Sequence, residues 1–202
     1  MITLFHRPKS RSTRFIFLLE ELEAPYQIRL VTSRTPEHAS GDTGDGGLEN
    51  PHPHGKVPAI SDAGTVVFES PAIALYLTDK FPKNQLGPLV GQRERGAYLS
   101  WLSYYTGVLE PAVMSKFMNV EAPRATAGWV PVAESVAAVM NVLAAGPYML
   151  GERFSAVDVL YGTTFAMFAT SPMIPKSVIL DEYVKRIVTR PAFARAQARD
   201  QG

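Results

Sequence analysis

Residues 2–31 read ITLFHRPKSRSTRFIFLLEELEAPYQIRLV, and the changes of hydrophobic period within them decide the fold. Ile2 to His6 is a short run of strand length. From about Thr13 to Glu23 the chain is dense in apolar residues, Phe15 to Leu19 and Leu22, over a length that suits a helix. Tyr26, Ile28 and Leu30 then alternate with Gln27, Arg29 and Val31, the period-2 mark of a half-buried strand. Strand, helix and strand make a βαβ unit.

Residues 33–55 follow, rich in Gly, Pro, Asp and His and containing SGDTGDGG, which reads as a mobile loop with a short helix around Pro36 to Ser40. Val57 to Ile60 and Thr65 to Phe68 are two short strands parted by the turn Ser61 to Gly64, the spacing of a hairpin. A helix opens at Ser70, with Ser70 suited to the N-cap and Pro71 to the first helical position, and closes at Phe81-Pro82. The order βαβ, loop, ββα is a thioredoxin-like α/β domain over residues 1–82. Lys83 to Gly91 is a linker rich in turn formers, and residues 92–202 form an all-helical domain. Its long first helix, Gln92 to Asn119, carries Tyr98, Leu102, Tyr105, Leu109 and Val113 near a 3.6 period and should kink at Pro111. Further helices are expected from Trp129 to Ala145, Phe154 to Thr170, Pro175 to Val188 and Pro191 to Arg199, the third opened by Ser155 with Asp158 in a capping box.

The 202 residues are 46% hydrophobic and 19% charged with a net charge of +1, a globular balance that argues against disorder and against nucleic acid as a partner. The apolar stretch from Ala156 to Ile174 is broken by Asp158, Gly162 and Pro172, so no membrane span is expected. MITLFHRPK has no long apolar core of a secretory signal, and a cytoplasmic location is expected. The chain has no cysteine, so any thiol chemistry needs a thiol brought by a ligand, and a disulfide reductase working through its own cysteines is excluded. Of the four histidines, His6, His38, His52 and His54, the last two are close, but without Cys or clustered carboxylates they read as exposed loop residues rather than metal ligands.

Three short stretches carry chemistry. HRPKSRSTRFIF, residues 6–17, sets cations and hydroxyls at the start of a helix, where the dipole favours acids, so an anion is expected to visit. Ser12 or Thr13 is placed to cap that helix, with Arg14 one turn along facing solvent. In GKVPAI, Pro58 at a strand start removes one ladder donor; a cis Val57–Pro58 bond would turn the Val57 amide and carbonyl towards an extended peptide-like ligand. Glu69-Ser70 joins a strand to a helix, so its amides can take a carboxylate while Glu69 takes an ammonium, the two charges of an α-amino acid head.

SRSTRFIFLLEELEAPYQIRLV, HPHGKVPAI, FESPAIALYLTDKFP, FSAVDVLYGTTF and RPAFARA together resemble the cytosolic-type glutathione transferases of bacteria, over nearly the whole chain. The resemblance implies glutathione as co-substrate and no metal. It assigns Val57 and Pro58 to the cysteinyl part, Glu69 and Ser70 to the γ-glutamyl end, and Lys56, helped by His38 or His54, to the glycyl carboxylate. Ser155 and Asp158 match the family's buried folding motif. The first loop is similar to that of serine-using members, making Ser10 the first candidate to meet the thiol and Ser12 the second, with Arg11 or a backbone amide also open. A homodimer and a role in detoxification are implied as well.

A free thiol has a pKa near ~8.5; a hydroxyl, helix-start amides and guanidinium groups could lower it by about 2 units by stabilising the anion. On that account the serine donates to the thiolate, no proton acceptor is required, and the spacing suggests no Ser-His-Asp arrangement. The second substrate is expected to be a small hydrophobic electrophile lined by the long helix, with Trp101, Tyr104 and Met114 as candidates and Tyr105 in the core. Competing readings are glutathione-dependent ether cleavage, dehalogenation or isomerisation, and a non-catalytic module that uses the same fold for binding.

Overall fold

A computed structural model describes residues 1–31, 50–121 and 123–200. The expected loop helix around Pro36 to Ser40, and His38 with it, lie outside these residues. Two compact units emerge, Met1–Asn84 with Pro191–Gly202, and Gln85–Arg190.

The first unit is built on β1 (Ile2–His6), α1 (Thr13–Glu21), β2 (Tyr26–Leu30), β3 (Ala59–Asp62), β4 (Thr65–Phe68) and α2 (Ser70–Lys80). The sheet order is β2-β1-β3-β4, with β1 and β2 parallel and the other neighbours antiparallel. This is the mixed sheet that βαβ followed by ββα predicts. β3 starts at Ala59 rather than Val57, and the hairpin is tighter than expected: Ala63 (φ 49°) and Gly64 (φ 90°) turn the chain in two residues, as a primed turn requires.

Helix α8 (Pro191–Arg199), the last in the chain, belongs to the same unit and lies on α1. Phe17 and Phe193 meet edge-on at 5.4 Å, and Arg195 and Arg199 pair with Glu20. With α8 covering α1, all six residues from Arg14 to Leu19 are buried. Arg14 therefore does not face solvent, because this part of α1 has no open side.

The second unit holds α3 (Arg95–Tyr104), α4 (Glu110–Phe117), α5 (Val132–Leu143), α6 (Ala156–Met167) and α7 (Val178–Val188). Five residues of π-helix, Tyr105–Leu109, join α3 to α4 where a kink at Pro111 was expected. Proline cannot donate to the carbonyl four residues back, and the ladder slips a register, Glu110 N bonding to Tyr105 O. Tyr105 is buried, its hydroxyl 2.6 Å from Glu110 Oε1 and 2.7 Å from Thr164 Oγ1. Around Asp158 the capping box forms: Ser155 N and Oγ donate to Oδ2 at 2.8 and 2.9 Å, and Met149 N and Tyr183 OH donate to Oδ1 at 2.8 and 2.9 Å. Among the described residues no helix is long and apolar enough to cross a membrane.

Candidate functional site

Strand register assembles the site. Phe5 of β1 pairs with Ala59 of β3, and Ala59 pairs with Phe68 of β4. The Arg7–Ser12 loop leaves β1, Val57-Pro58 enters β3, and Glu69-Ser70 leaves β4, so all three stretches singled out from the sequence emerge at one end of the sheet. Neighbouring strands run about 4.8 Å apart, and the three mouths are within reach of one extended tripeptide.

In the loop, the two serines occupy different environments. Ser12 is fully buried, while Ser10 is half-buried. Ser12 stands at the N-cap position of α1 but makes no capping bond. Its Oγ instead lies 2.8 Å from His6 Nδ1 and 2.7 Å from Ser10 Oγ, and accepts from Arg7 N at 3.1 Å. Ser10 Oγ is 2.6 Å from the Arg7 carbonyl and accepts from Ser12 N at 3.2 Å.

His6 is wholly buried, and on its other side Nε2 is 3.3 Å from Asp200 Oδ1, an ion-pair distance without hydrogen-bond alignment. Burial lowers the imidazole's proton affinity, and the Asp200 carboxylate works against that. The same carboxylate accepts from Lys9 N at 3.1 Å and from Thr13 Oγ1 at 2.5 Å. Lys9 holds a left-handed backbone at φ 55°, uncommon for a side chain of its kind, and the bond from its amide to Asp200 fixes it there. The serine, histidine and aspartate side chains thus lie in line, an arrangement that the sequence spacing does not suggest. Sequence spacing missed it because residue 200 is nearly the whole chain away from residue 6.

At β3 the Val57–Pro58 bond is cis, with Val57 half-buried and Lys56 exposed. The Lys56 carbonyl is tied down by Asn50 Nδ2 at 2.9 Å. His54 is exposed, whereas His52 is buried against Phe68 rather than exposed, its Nδ1 accepting from His54 N at 3.1 Å. That bond makes Nε2 the protonated nitrogen, 3.7 Å from Glu69 Oε1.

Glu69, not Ser70, is the residue before α2, and it too has a left-handed backbone, φ 69° and ψ 128°. A glutamate there is strained, and such strain collects where a ligand is gripped. Its carboxylate is largely exposed while Ser70 is buried at the helix start. The pair sets an exposed acid beside a buried serine at a helix start.

Trp101 and Tyr104 of α3 are half-buried and meet edge-on at 5.2 Å, and burial raises the Tyr104 phenol's pKa. Met114 of α4 is exposed. A cavity of about 530 Å³ opens in this unit beside Trp129, Ser115 and Lys116, and none of those three candidates lines it.

Residues 10–80 match the N-terminal domain of glutathione S-transferases. Glutathione S-transferase 3 of Schizosaccharomyces pombe is 31% identical over 116 residues, 56% of this chain and 44% of that protein. The disulfide-bond oxidoreductase YfcG of Escherichia coli is 29% identical over 180 residues, 79% of this chain and 76% of that protein. The solved glutathione transferase of Methylococcus capsulatus covers 99% of this chain and 98% of its own at 25% identity and TM-score 0.78. A sphingomonad glutathione S-transferase complexed with glutathione covers 98% of both chains at 28% identity and TM-score 0.76. The chain spans less than half of the yeast relative and nearly all of the bacterial structures.

Proposed function

We propose that this chain, which carries the N-terminal domain of the glutathione S-transferases and their fold, binds glutathione across the shared sheet end and activates its thiol for attack on a hydrophobic electrophile. The observation that carries this reading is the register Phe5–Ala59–Phe68, which gathers the three ligand-facing stretches. Val57 and Pro58 meet the cysteinyl backbone. Glu69 takes the γ-glutamyl ammonium and the Ser70 amide its carboxylate, while Lys56, with His54 or His38, meets the glycyl carboxylate. Ser10, the more exposed serine, faces the sulfur, with Arg11 adding positive charge near it. Trp101, Tyr104 and Met114 contribute to holding the electrophile, and the working form is a cytoplasmic homodimer.

The test is binding to immobilised glutathione followed by conjugation of a chloronitroaromatic electrophile. A hydrogen bond to a charged partner is worth about 1.5–3 kcal/mol, so Ser10→Ala should lower kcat/KM by about 10–100-fold. Glu69→Ala should weaken glutathione binding by a similar factor, through loss of the ammonium partner. Absence of glutathione binding by the wild type refutes the reading, and a larger loss of turnover in Tyr104→Ala than in Ser10→Ala moves the chemistry elsewhere. Light scattering checks the dimer.

A second reading draws on the resemblance to the Escherichia coli disulfide-bond oxidoreductase. With no cysteine in the chain, both sulfurs of an exchange would belong to ligands, a glutathione thiolate attacking a bound disulfide. Reduction of a small dithiol-derived disulfide by glutathione, faster than any conjugation, would favour it.

A further inference from the structure

Asp200, His6, Ser12 and Ser10 lie in line from the end of α8 to the half-open serine, joined by hydrogen-bond distances from Ser10 to His6 Nδ1 and by an ion-pair distance from His6 Nε2 to Asp200. Asp200 faces Nε2, and a carboxylate there keeps the proton on that nitrogen. Nδ1 is then a lone pair, and Ser12 Oγ, with that lone pair at 2.8 Å and the Arg7 carbonyl at 3.2 Å as its two acceptors, gives its one proton to the nearer, His6. With its proton committed, Ser12 accepts from Arg7 N and can accept from Ser10 at 2.7 Å. Ser10 has two acceptors in reach, the Arg7 carbonyl and Ser12 Oγ, and moves between them by rotating its O–H bond. Turned inward, it presents a lone pair to a thiol. A buried histidine that served packing alone would need neither the carboxylate behind it nor an oriented pair of hydroxyls in front.

We propose that, in the glutathione reaction set out above and resting on it, the thiol proton passes through Ser10 and Ser12 to His6, with Asp200 holding the imidazolium that results. The S–H bond breaks with its electron pair left on sulfur, and the proton joins Ser10 Oγ as the Ser10 proton moves to Ser12 Oγ and the Ser12 proton to His6 Nδ1. Both serines end neutral, now each donating outward, so Ser10 points an O–H at the thiolate. The relay thus supplies the donor that stabilises the anion and a place for its proton. After the carbon–sulfur bond has formed, the proton returns along the same line to the leaving group or to water.

The charged groups on the surrounding elements are Arg7, Lys9 and Arg11 in the loop, Arg14, Glu20 and Glu21 in α1, Arg29 in β2, Asp62 at the far end of β3 opposite Ile2, Arg195 and Arg199 in α8, and Asp200. Asp200 is the one whose charge raises the imidazole's proton affinity against burial. Burial still outweighs that charge, so the resting imidazole stays a weaker base than a free one and is neutral until an anion comes to sit at the far end of the line. The alternative, in which Ser10 merely donates and solvent takes the proton, leaves His6 uncharged at every stage.

The test is nitrogen NMR of the wild type with labelled histidine at neutral pH, with glutathione or S-methylglutathione added. The His6 imidazole should be neutral alone and with the S-methyl compound, and protonated with glutathione. An imidazole that stays neutral with glutathione, or is already charged without it, overturns the relay. Two variants give an independent reading: His6→Asn keeps an amide at the Nδ1 position but cannot take the proton, and Asp200→Asn keeps an acceptor for Lys9 and Thr13. In each, the bound thiol's pKa should rise by about one unit, cutting thiolate at neutral pH about tenfold, while glutathione affinity stays within about threefold. Unchanged thiol pKa in both variants refutes the relay and leaves the transferase reading standing; failure of the wild type to bind glutathione refutes both.

Discussion

Replacing Asp158 by alanine takes one carboxylate from four donors, two of which can adapt and two of which cannot. The hydroxyls of Ser155 and Tyr183 can rotate towards other acceptors, but the amides of Met149 and Ser155 point where the backbone puts them. Each orphaned buried amide costs about 1–3 kcal/mol, and the capping-box bond is one of the two, so the variant should be less stable by about 2–6 kcal/mol at pH 7. Protonation adds a second, independent signature. Burial outweighs the four hydrogen bonds and pushes the folded carboxyl from 3.8 up to about 6. The folded state therefore holds a proton between those values that the unfolded chain has released, and wild-type stability falls as pH rises through that window. Between pH 7 and pH 5 the wild type should gain about 1 kcal/mol that the alanine variant cannot. Urea unfolding followed by tryptophan fluorescence reads the right unit, since both tryptophans, Trp101 and Trp129, lie in Gln85–Arg190. A midpoint shift worth under about 1 kcal/mol, or a gap that narrows on acidification, would refute this account of Asp158.

Gly162 faces Ile187 so closely that an added Cβ would lie 2.5 Å from Cγ1 and 2.9 Å from Cγ2, atoms near the isoleucine backbone that cannot swing away. Gly162→Ala should cost about 1–3 kcal/mol in the same unfolding assay, and that cost should shrink in an Ile187→Ala background, which removes both clashing atoms, whereas additive effects of the two would show that the helices are not in this contact. In the first unit, Lys80 and the Tyr76 hydroxyl hold the Asp62 carboxyl below the usual carboxylate range. That contribution is present above pH 4 and is lost as pH falls through the depressed value, so Asp62→Asn should be less stable than wild type at neutral pH and converge with it in acid. A gap that persists at pH 2 would assign the effect to packing.

The mixed sheet was legible because period-2 strands and a marked helix start at Pro71 leave few other arrangements, and register then followed from short turns. Helix boundaries moved where a single residue carried unexpected geometry: Glu69 took the cap position from Ser70 by adopting a left-handed backbone, and Pro111 slipped the ladder into a π-turn instead of bending it. Arg14 and His52 read as exposed because charge and loop context are averages, while α8 and Phe68 cover them in this fold. What the order of residues did not contain was any hint that α8 would return to the first unit. That single long-range packing decision buried Arg14.

The same return of α8 brings Asp200 to the first loop. A loop of Arg, Pro, Lys and Ser has little apolar area with which to hold a shape, and by itself it would sample many backbone states. Here Asp200 fixes Lys9 and Thr13 with one carboxylate while reaching His6 with the same group. Anchoring and proton affinity are therefore coupled through one side chain. A charge-neutral replacement such as Asp200→Asn separates them, keeping the anchor and removing the field, whereas Asp200→Ala removes both. If the loop's shape alone activates the thiol, the asparagine variant should match wild type and the alanine variant should fall; if the field matters, both should lose thiolate, and the alanine variant should in addition bind glutathione less tightly.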